Sequence, residues 1–469
     1  MRINAPRLLI GAPASGGGKT TFTCGLLQVF ANRGMKLQAC KCGPDYIDPM
    51  FHREVIGAAS RNLDLFLMDE ELVRSLVAEG ARSSDITVVE GAMGYYDGIA
   101  VSDEASAWHV ARATGTPVVL VVDGRGRARS IAAEVEGFAR FREKSQVAGV
   151  VLNRVSAALY PRLKELVEAE CGIPVYGHVP VLEDASLESR HLGLVTAAEV
   201  DDLRGKLARL ADTFEQTVDI DGLLDLARTQ GDGSSVFESL YGTPNTEEPS
   251  PCVPCVPDTV IAVARDEAFC FYYDDTLRLF EKMGARVVEF SPLTDESLPE
   301  GTAGMYLGGG YPELHARELA QNGAMLSCIR HSIEQGMPTI AECGGFMYLH
   351  EELEDEAGDV WNMVGAVPGK SFRTPKLTRF GYVTLESRTD NLLAAAGDKL
   401  RAHEFHYWDS ANPGSAFHAV KPQSSRAWDC VHATPTLYAG YPHLCLHAAP
   451  RAAARFVAAC SEYALRKGA

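Results

Sequence analysis

Between Leu8 and Thr20 the chain reads Leu-Leu-Ile-Gly-Ala-Pro-Ala-Ser-Gly-Gly-Gly-Lys-Thr, an apolar run that passes through a glycine-rich stretch into a helical pattern. Little else in the sequence constrains the fold as tightly. A buried strand must deliver the loop and a helix must leave it, which is the crossover unit of a parallel α/β sheet. Backbone N–H groups of Ser15, Gly16, Gly17 and Gly18 then point at phosphate oxygens, and the helix N-terminus adds a favourable dipole. In such a loop Lys19 reaches the β/γ-phosphates and the Thr20 hydroxyl binds Mg²⁺. The spacing departs from the standard pattern: Pro13 holds the place of the first loop glycine, and Gly11 lies two residues earlier. A glycine-rich turn that binds nothing is the bland alternative. The flanking strand and helix and the intact Gly-Lys-Thr argue for a nucleotide.

The alternation continues through the first two hundred residues. Leu8–Gly11, Leu37–Cys40, Ile86–Val89, Val118–Val122 and Val147–Leu152 read as buried strands. Thr20–Arg33, Glu70–Glu79, Ala105–Thr114 and Ser130–Phe141 read as helices between them, which predicts a mainly parallel sheet. From Gln230 to Asp258 the chain is rich in Gly, Ser and Glu, with five prolines between Pro244 and Pro257, so 230–258 reads as a linker. Its Cys252 and Cys255 are either incidental thiols or half of a zinc site, and no second pair at metal spacing occurs elsewhere. A second alternation runs through Thr259–Ala264, Ala285–Phe290, Met305–Gly308 and Thr339–Ala341 and closes on a helix from Pro450 to about Arg466.

With 469 residues, two or three domains are expected. Acidic residues exceed basic ones by 62 − 44 = 18, which argues against a broad nucleic-acid surface. The twelve cysteines are scattered, several in apolar runs, as in a reducing compartment. No export signal opens the sequence, and the longest apolar runs are far short of a membrane span. A cytoplasmic protein without a membrane partner is the expectation.

Two acidic motifs sit where a phosphate loop needs them. Val88-Val-Glu90-Gly-Ala-Met-Gly-Tyr-Tyr-Asp97-Gly places Glu90 at the end of a buried strand, on the edge where ligands sit in parallel sheets. A carboxylate there can complete Mg²⁺ coordination. Lys41-Cys-Gly-Pro-Asp45-Tyr-Ile-Asp48-Pro-Met-Phe-His52 follows another strand, and its Gly-Pro turn exposes Asp45 and Asp48. Asp45 is a further metal-ligand candidate, with Asp45, Asp48 and Asp97 as candidates for holding metal and substrate. Turn capping is the ordinary reading of these aspartates. Arg125, Arg127 and Arg129 follow the strand ending at Val122 and suit either anion recognition or a solvated loop.

In the second half, Thr339-Ile-Ala-Glu-Cys343-Gly-Gly-Phe puts a cysteine between a short strand and a helical segment. Such an elbow exposes a nucleophile at a helix N-terminus, which lowers a thiol pKa. Upstream, Tyr306-Leu-Gly-Gly-Gly-Tyr-Pro-Glu313 is a turn able to aim N–H groups at an oxyanion. Downstream, Gly440-Tyr-Pro-His443-Leu-Cys-Leu-His447 supplies histidines able to deprotonate the thiol. A structural cysteine in a buried turn is the alternative. The order of turn, elbow and late histidine favours Cys343 as nucleophile with His443 as its base.

These motifs, in this order and over nearly every segment outside the linker, resemble the cobyrinate a,c-diamide synthase family. Similar to family patterns are Lys41–His52, Glu90–Gly98, Arg190–Val195, Ile261–Tyr273, Leu307–Glu313, Ala341–Leu349 and Glu404–Tyr407. The resemblance implies an α/β fold in each half. Residues 1–229 would form a dethiobiotin-synthetase-like, ATP-binding, carboxylate-activating domain, and 259–469 a class I glutamine amidotransferase domain. It implies that glutamine is hydrolysed at Cys343 and that ammonia amidates the a and c acetates of a corrin-type polycarboxylate through acyl phosphates, with ATP and Mg²⁺. Other class I glutaminases carry a glutamate two residues after the histidine; the cobyrinate family usually has a second histidine there, and here the residue is Cys445. Some other acceptor must orient His443. A sister family making the same two amides on nickel-sirohydrochlorin stays open as the alternative. A ParA/MinD-like ATPase switch would leave the cysteine domain without a role, and intact Cys343 and His443 disfavour a glutaminase-dead scaffold. Whether the chain acts as a homodimer also stays open.

Overall fold

Valine, isoleucine and leucine dominate most of the short strands that build the sheet of the N-terminal unit. The computed structural model describes residues 5–182, 197–229, 259–377 and 379–468. The chain divides into two compact units, Met1–Thr246 and Glu247–Ala469. The segment expected to be a linker, with Cys252 and Cys255, and the Arg190–Val195 motif lie outside the described residues.

The N-terminal strands are β1 (Arg7–Gly11), β2 (Leu37–Cys42), β3 (Ala59–Leu63), β4 (Ile86–Glu90), β5 (Val118–Asp123), β6 (Val147–Asn153) and β7 (Val175–Val179). They form one sheet in the order β3-β2-β4-β1-β5-β6-β7, with every pairing parallel. All residues of β1, β2 and β4 are buried, as they must be in a parallel sheet covered on both faces. β1 is central: the chain first builds outward on one side (β2, β3), then β4 enters between β2 and β1, and β5 to β7 follow on the other side. A reversal of this kind opens a crevice at the carboxyl ends of the strands. Register places Glu90 beside both Ile10 of β1 and Lys41 of β2.

Helix α1 (Lys19–Asn32) leaves the glycine-rich loop and packs Phe22 against Phe214 of the helix Ala197–Thr217, with ring centroids 5.1 Å apart. β3 and β7 are absent from the sequence reading. β3 reads Ala-Ser-Arg-Asn-Leu, and its Arg61 and Asn62 are accommodated by tertiary partners. Arg61 donates to the Leu76 carbonyl, and Asn62 to the carbonyls of Gly43 and Asp45.

In the C-terminal unit, β8 (Val260–Ala264), β9 (Phe269–Phe271), β10 (Arg286–Phe290), β11 (Thr302–Leu307), β12 (Gly309–Gly310) and β13 (Thr339–Glu342) come first. The central sheet runs β10-β8-β11-β13, then Leu437–Gly440, all in parallel, and ends on a short antiparallel edge at His432–Ala433. Alternate residues serve two cores: Ile261, Val263, Tyr306 and Ile340 face one, Ala262, Ala264, Met305 and Ala341 the other. A five-stranded antiparallel sheet, not anticipated from sequence, joins Arg379–Ser387 and Lys399–His406 to the two-residue strand His443–Leu444. No helix among the described residues is long and apolar enough to cross a membrane.

Candidate active sites of the two units

The loop after β1 takes its shape from two left-handed glycines, Gly16 at φ 75° and Gly18 at φ 98°. A Cβ on Gly18 would also lie 2.1 Å from Asn153 Nδ2. Asn153, the last residue of β6, donates to the Gly17 carbonyl at 2.9 Å, and Arg154 donates to the Gly16 carbonyl at 3.2 Å. Ser15 and Gly16 are exposed while Lys19 is buried, its Nζ donating to the carbonyls of Ala14 (3.3 Å) and Met93 (2.5 Å). Met93 itself lies at φ 48°, in the loop that follows β4. Burial, then the neighbouring Lys41 charge, hold Lys19 below the usual lysine range.

Glu90 has no exposed surface and gathers a cluster of groups. Its Oε1 accepts from Thr20 Oγ1 at 2.6 Å and from Lys41 Nζ at 2.7 Å. Lys41 Nζ also meets Asp48 Oδ2 at 2.5 Å, and His52 Nε2 stands 3.7 Å from Glu90 Oε2. Among the described residues Glu90 Oε2 has no hydrogen-bond partner. Burial pushes the Glu90 carboxyl up to about 7 against the pull of Lys41, and burial pushes His52 down to about 4. With Lys41 and Thr20 both donating to it, we take Glu90 as ionised at neutral pH.

The remaining aspartates divide. Asp45 Oδ1 accepts from the N–H groups of Ile47 and Asp48 at 2.9 and 3.1 Å, the turn-capping arrangement, while standing near Asp48 and Lys41. Asp97 is exposed and accepts from Gly94 N–H at 2.9 Å, shaping the loop whose Met93 carbonyl meets Lys19. Of the two readings left open for the three arginines, anion recognition or a solvated loop, the exposed loop is the one seen, with Arg125 paired to Asp123, Arg127 to Glu134 and Arg129 to Glu170.

In the second unit Cys343 sits between β13 and the helix Gly344–Leu349, at φ 47° and ψ −103°. Its N–H donates to the Gly440 carbonyl, and Gly345 N–H to the Gly308 carbonyl, both at 2.9 Å. These bonds pin the elbow between the Gly308–Gly310 turn and the strand that leads to His443. Space there is minimal: a Cβ on Gly345 would meet Leu307 O at 2.2 Å, and one on Gly309 would meet His443 Cε1 at 2.5 Å. His443 is buried and stacks on His403 with centroids 4.9 Å apart. Its Nδ1 faces Glu342 Oε2 at 3.8 Å. Burial raises the Cys343 thiol, with Glu313 adding to the effect, so the elbow alone does not deliver the lowered thiol pKa expected from sequence. Burial likewise drives His443 well below the usual histidine range, with His403 and His406 contributing.

The structure thus gathers Lys19, Thr20, Asp48 and Glu90 at one strand edge, and Cys343 and His443 around one glycine turn. Lys41, His52, Asn153 and Glu342 had no assigned role in the sequence reading. For Glu342 the signal was present: an acid on the last residue of a buried parallel strand, the same signal that singled out Glu90.

A phosphate-loop unit and a cysteine-elbow unit in one chain define the class, an amidotransferase-type enzyme fused to a nucleotide-binding domain. Residues 8–195 match the CobQ/CobB/MinD/ParA nucleotide binding domain, and residues 260–450 the CobB/CobQ-like glutamine amidotransferase domain. Similar curated proteins include the cobyrinate a,c-diamide synthase of Caldanaerobacter subterraneus, 37% identical over 97% of this chain and 98% of that protein. That of Salmonella typhimurium is 42% identical over 86% and 85%, and that of Thermoplasma volcanium 40% over 86% and 86%. The chain belongs to the cobyrinate a,c-diamide synthase family.

Proposed function

We propose that this chain amidates the a and c acetate carboxylates of cobyrinic acid, using ATP and the nitrogen of glutamine. The observation that carries the reading is the pairing of a phosphate-loop crevice with a cysteine–histidine elbow in one chain of this family. In the C-terminal unit, Cys343 Sγ bonds to the γ-carboxamide carbon of glutamine as the thiol proton passes to His443. The C–N bond breaks when His443 returns that proton to the leaving nitrogen, and ammonia departs. Water, deprotonated by His443, then hydrolyses the thioester to glutamate. The Gly308–Gly310 turn would cradle the oxyanion.

In the N-terminal unit a substrate carboxylate oxygen attacks the γ-phosphorus of ATP, the bond to the bridging oxygen breaks, and ADP leaves. Ammonia attacks the resulting acyl phosphate, inorganic phosphate departs, and the amide remains after loss of a proton. Ser15 to Gly18 would bind phosphates through backbone N–H groups, and Lys19 would turn from the Met93 carbonyl to the γ-phosphate. Thr20, Glu90 and Asp45 would hold Mg²⁺. The buried Glu90 carboxylate, whose Oε1 meets the Thr20 hydroxyl and whose Oε2 has no hydrogen-bond partner among the described residues, fits a hard cation that keeps phosphate and water as its other ligands. Bound there, Mg²⁺ supplies charge neutralisation for the transferring phosphoryl group. Asp48 and Asp97 would position the substrate side.

Mass spectrometry after incubation with ATP, Mg²⁺ and glutamine tests the reading on cobyrinate and on nickel-sirohydrochlorin in parallel. Two amides on cobyrinate are expected. Unchanged cobyrinate, or amidation of the nickel macrocycle alone, overturns the assignment.

A further inference from the structure

A cysteine–histidine pair works as a nucleophile and base only if the imidazole presents the correct nitrogen, and a third group usually fixes that tautomer. Two residues beyond His443 this chain has Cys445, a thiol in place of a carboxylate. We propose that Glu342, the residue directly before the nucleophile, is the positioning residue that fixes the His443 tautomer. This inference rests on the glutaminase reading of Cys343.

Glu342 Oε2 stands 3.8 Å from His443 Nδ1, with the two side chains only 1% and 3% exposed. Water therefore offers Nδ1 little alternative. The separation exceeds a hydrogen bond, as is common in ligand-free catalytic sites, and a small ring movement closes it. The carboxyl group is itself anchored at both ends. Oε1 accepts from Leu444 N–H at 3.1 Å, and Oε2 accepts from the Tyr306 hydroxyl at 3.0 Å. Leu444 is the residue next to His443, so the acid is tied to the short strand that carries the base. Glu342 also pairs with Gly440 across the sheet, and the following Cys343 N–H donates to that glycine's carbonyl. One strand end therefore carries both the nucleophile and the acid.

His403 stacks on one face of the imidazole, and Gly309 is needed beside Cε1, where a Cβ would lie 2.5 Å away. With Nδ1–H turned to Glu342, Nε2 keeps its lone pair for the thiol proton. Burial pushes the Glu342 carboxyl up to about 8, against the donors Leu444 N–H and Tyr306 hydroxyl. In its ionised form the carboxylate accepts from Nδ1–H and stabilises the imidazolium formed when His443 takes the thiol proton, with no proton leaving Glu342 in that step.

Glu342→Gln tests this because glutamine keeps the shape: its oxygen can still accept from Leu444 N–H, while its NH₂ takes the place of Oε2, beside Nδ1 and the oxygen of the Tyr306 hydroxyl. Its amide NH₂, turned to Nδ1, instead selects the tautomer with a proton on Nε2. The turnover number for glutamine hydrolysis should fall by about 10²- to 10⁴-fold, the range seen when a triad loses its orienting acid. The KM for glutamine should stay near the wild-type value, and Glu342→Asp should recover part of the lost turnover. Amidation driven by added ammonium chloride reports that the chain is folded. Tyr306→Phe removes the other donor to Oε2 while leaving the acid, and should cost far less. Wild-type turnover in Glu342→Gln, or an equal loss in Tyr306→Phe, overturns the proposal. A wild-type chain that hydrolyses no glutamine overturns the glutaminase reading itself, which is a separate result.

Discussion

His350 lies directly behind the nucleophile helix, fully buried, with its ring nitrogens 2.8 Å from the Phe346 carbonyl and 2.6 Å from Ser410 Oγ. Burial pushes it down to about 4, and pushes His403 down to about 3. A histidine depressed in the folded state binds fewer protons there than in the unfolded chain. Its contribution to stability is intact above the unfolded value of 6.5 and is lost as pH falls toward the folded value. Glu342 and Glu313, both pushed up to about 8, act in the opposite sense, favouring the fold below 4.5 and ceasing to do so as pH rises through 8. The histidine contribution is isolated by difference. Between pH 7 and 4, wild type should lose more unfolding free energy than His350→Gln, by an amount of at most about 3 kcal/mol for the full shift. Denaturant titrations at three pH values measure it, and parallel pH profiles for the two proteins would contradict it.

At the scale of elements, helix contacts decide the sign of a common substitution. Gly25 lies inside α1, and a Cβ there would meet Phe214 Cε2 at 2.7 Å and Leu210 Cγ at 2.9 Å. Gly137 lies in the helix Ser130–Arg140, with nothing within 4 Å of a Cβ. Alanine in place of a helical glycine ordinarily stabilises by about 0.5–1 kcal/mol, whereas overpacking a filled interface costs about 1–3 kcal/mol. Gly137→Ala should therefore raise the midpoint of thermal unfolding of the N-terminal unit and Gly25→Ala lower it. A rise in both would mean that α1 shifts freely on its partner. The same contacts explain what was legible in the sequence. Strands with continuous apolar runs, such as Val118–Asp123, and the helices between them follow from local pattern. β3 does not, because its Arg61 and Asn62 are satisfied by carbonyls distant in sequence. The phosphate loop, Glu90 and the cysteine elbow were readable because each couples a residue type to a strand end. Lys41 was not read, because its partner Glu90 is set by strand register, which one sequence does not display; Glu342 carried the strand-end signal, and only its proximity to His443 needed the fold.

For the whole molecule, the two sites make separable demands. Cys343→Ala should abolish amidation supported by glutamine and leave amidation supported by ammonia largely intact. Lys19→Ala should remove both, since in the proposed mechanism phosphoryl transfer precedes either nitrogen source, with a loss of about 10²- to 10³-fold by analogy with one preorganised electrostatic donor. Product formation with each nitrogen donor in turn measures the pair. Near-normal turnover of Lys19→Ala with saturating ammonia would contradict the division, as would a folded Cys343→Ala chain that ammonia fails to support.

The backbone of Cys343, at φ 47° and ψ −103°, lies where glycine rests easily and every other residue is held at a cost of about 1–3 kcal/mol. A screen that ranked variants of this chain by heat resistance, with no assay of turnover, would favour glycine at the position assigned to the nucleophile. Durability and reactivity pull apart at a single α-carbon, and the surrounding turn is what keeps the less comfortable choice in place.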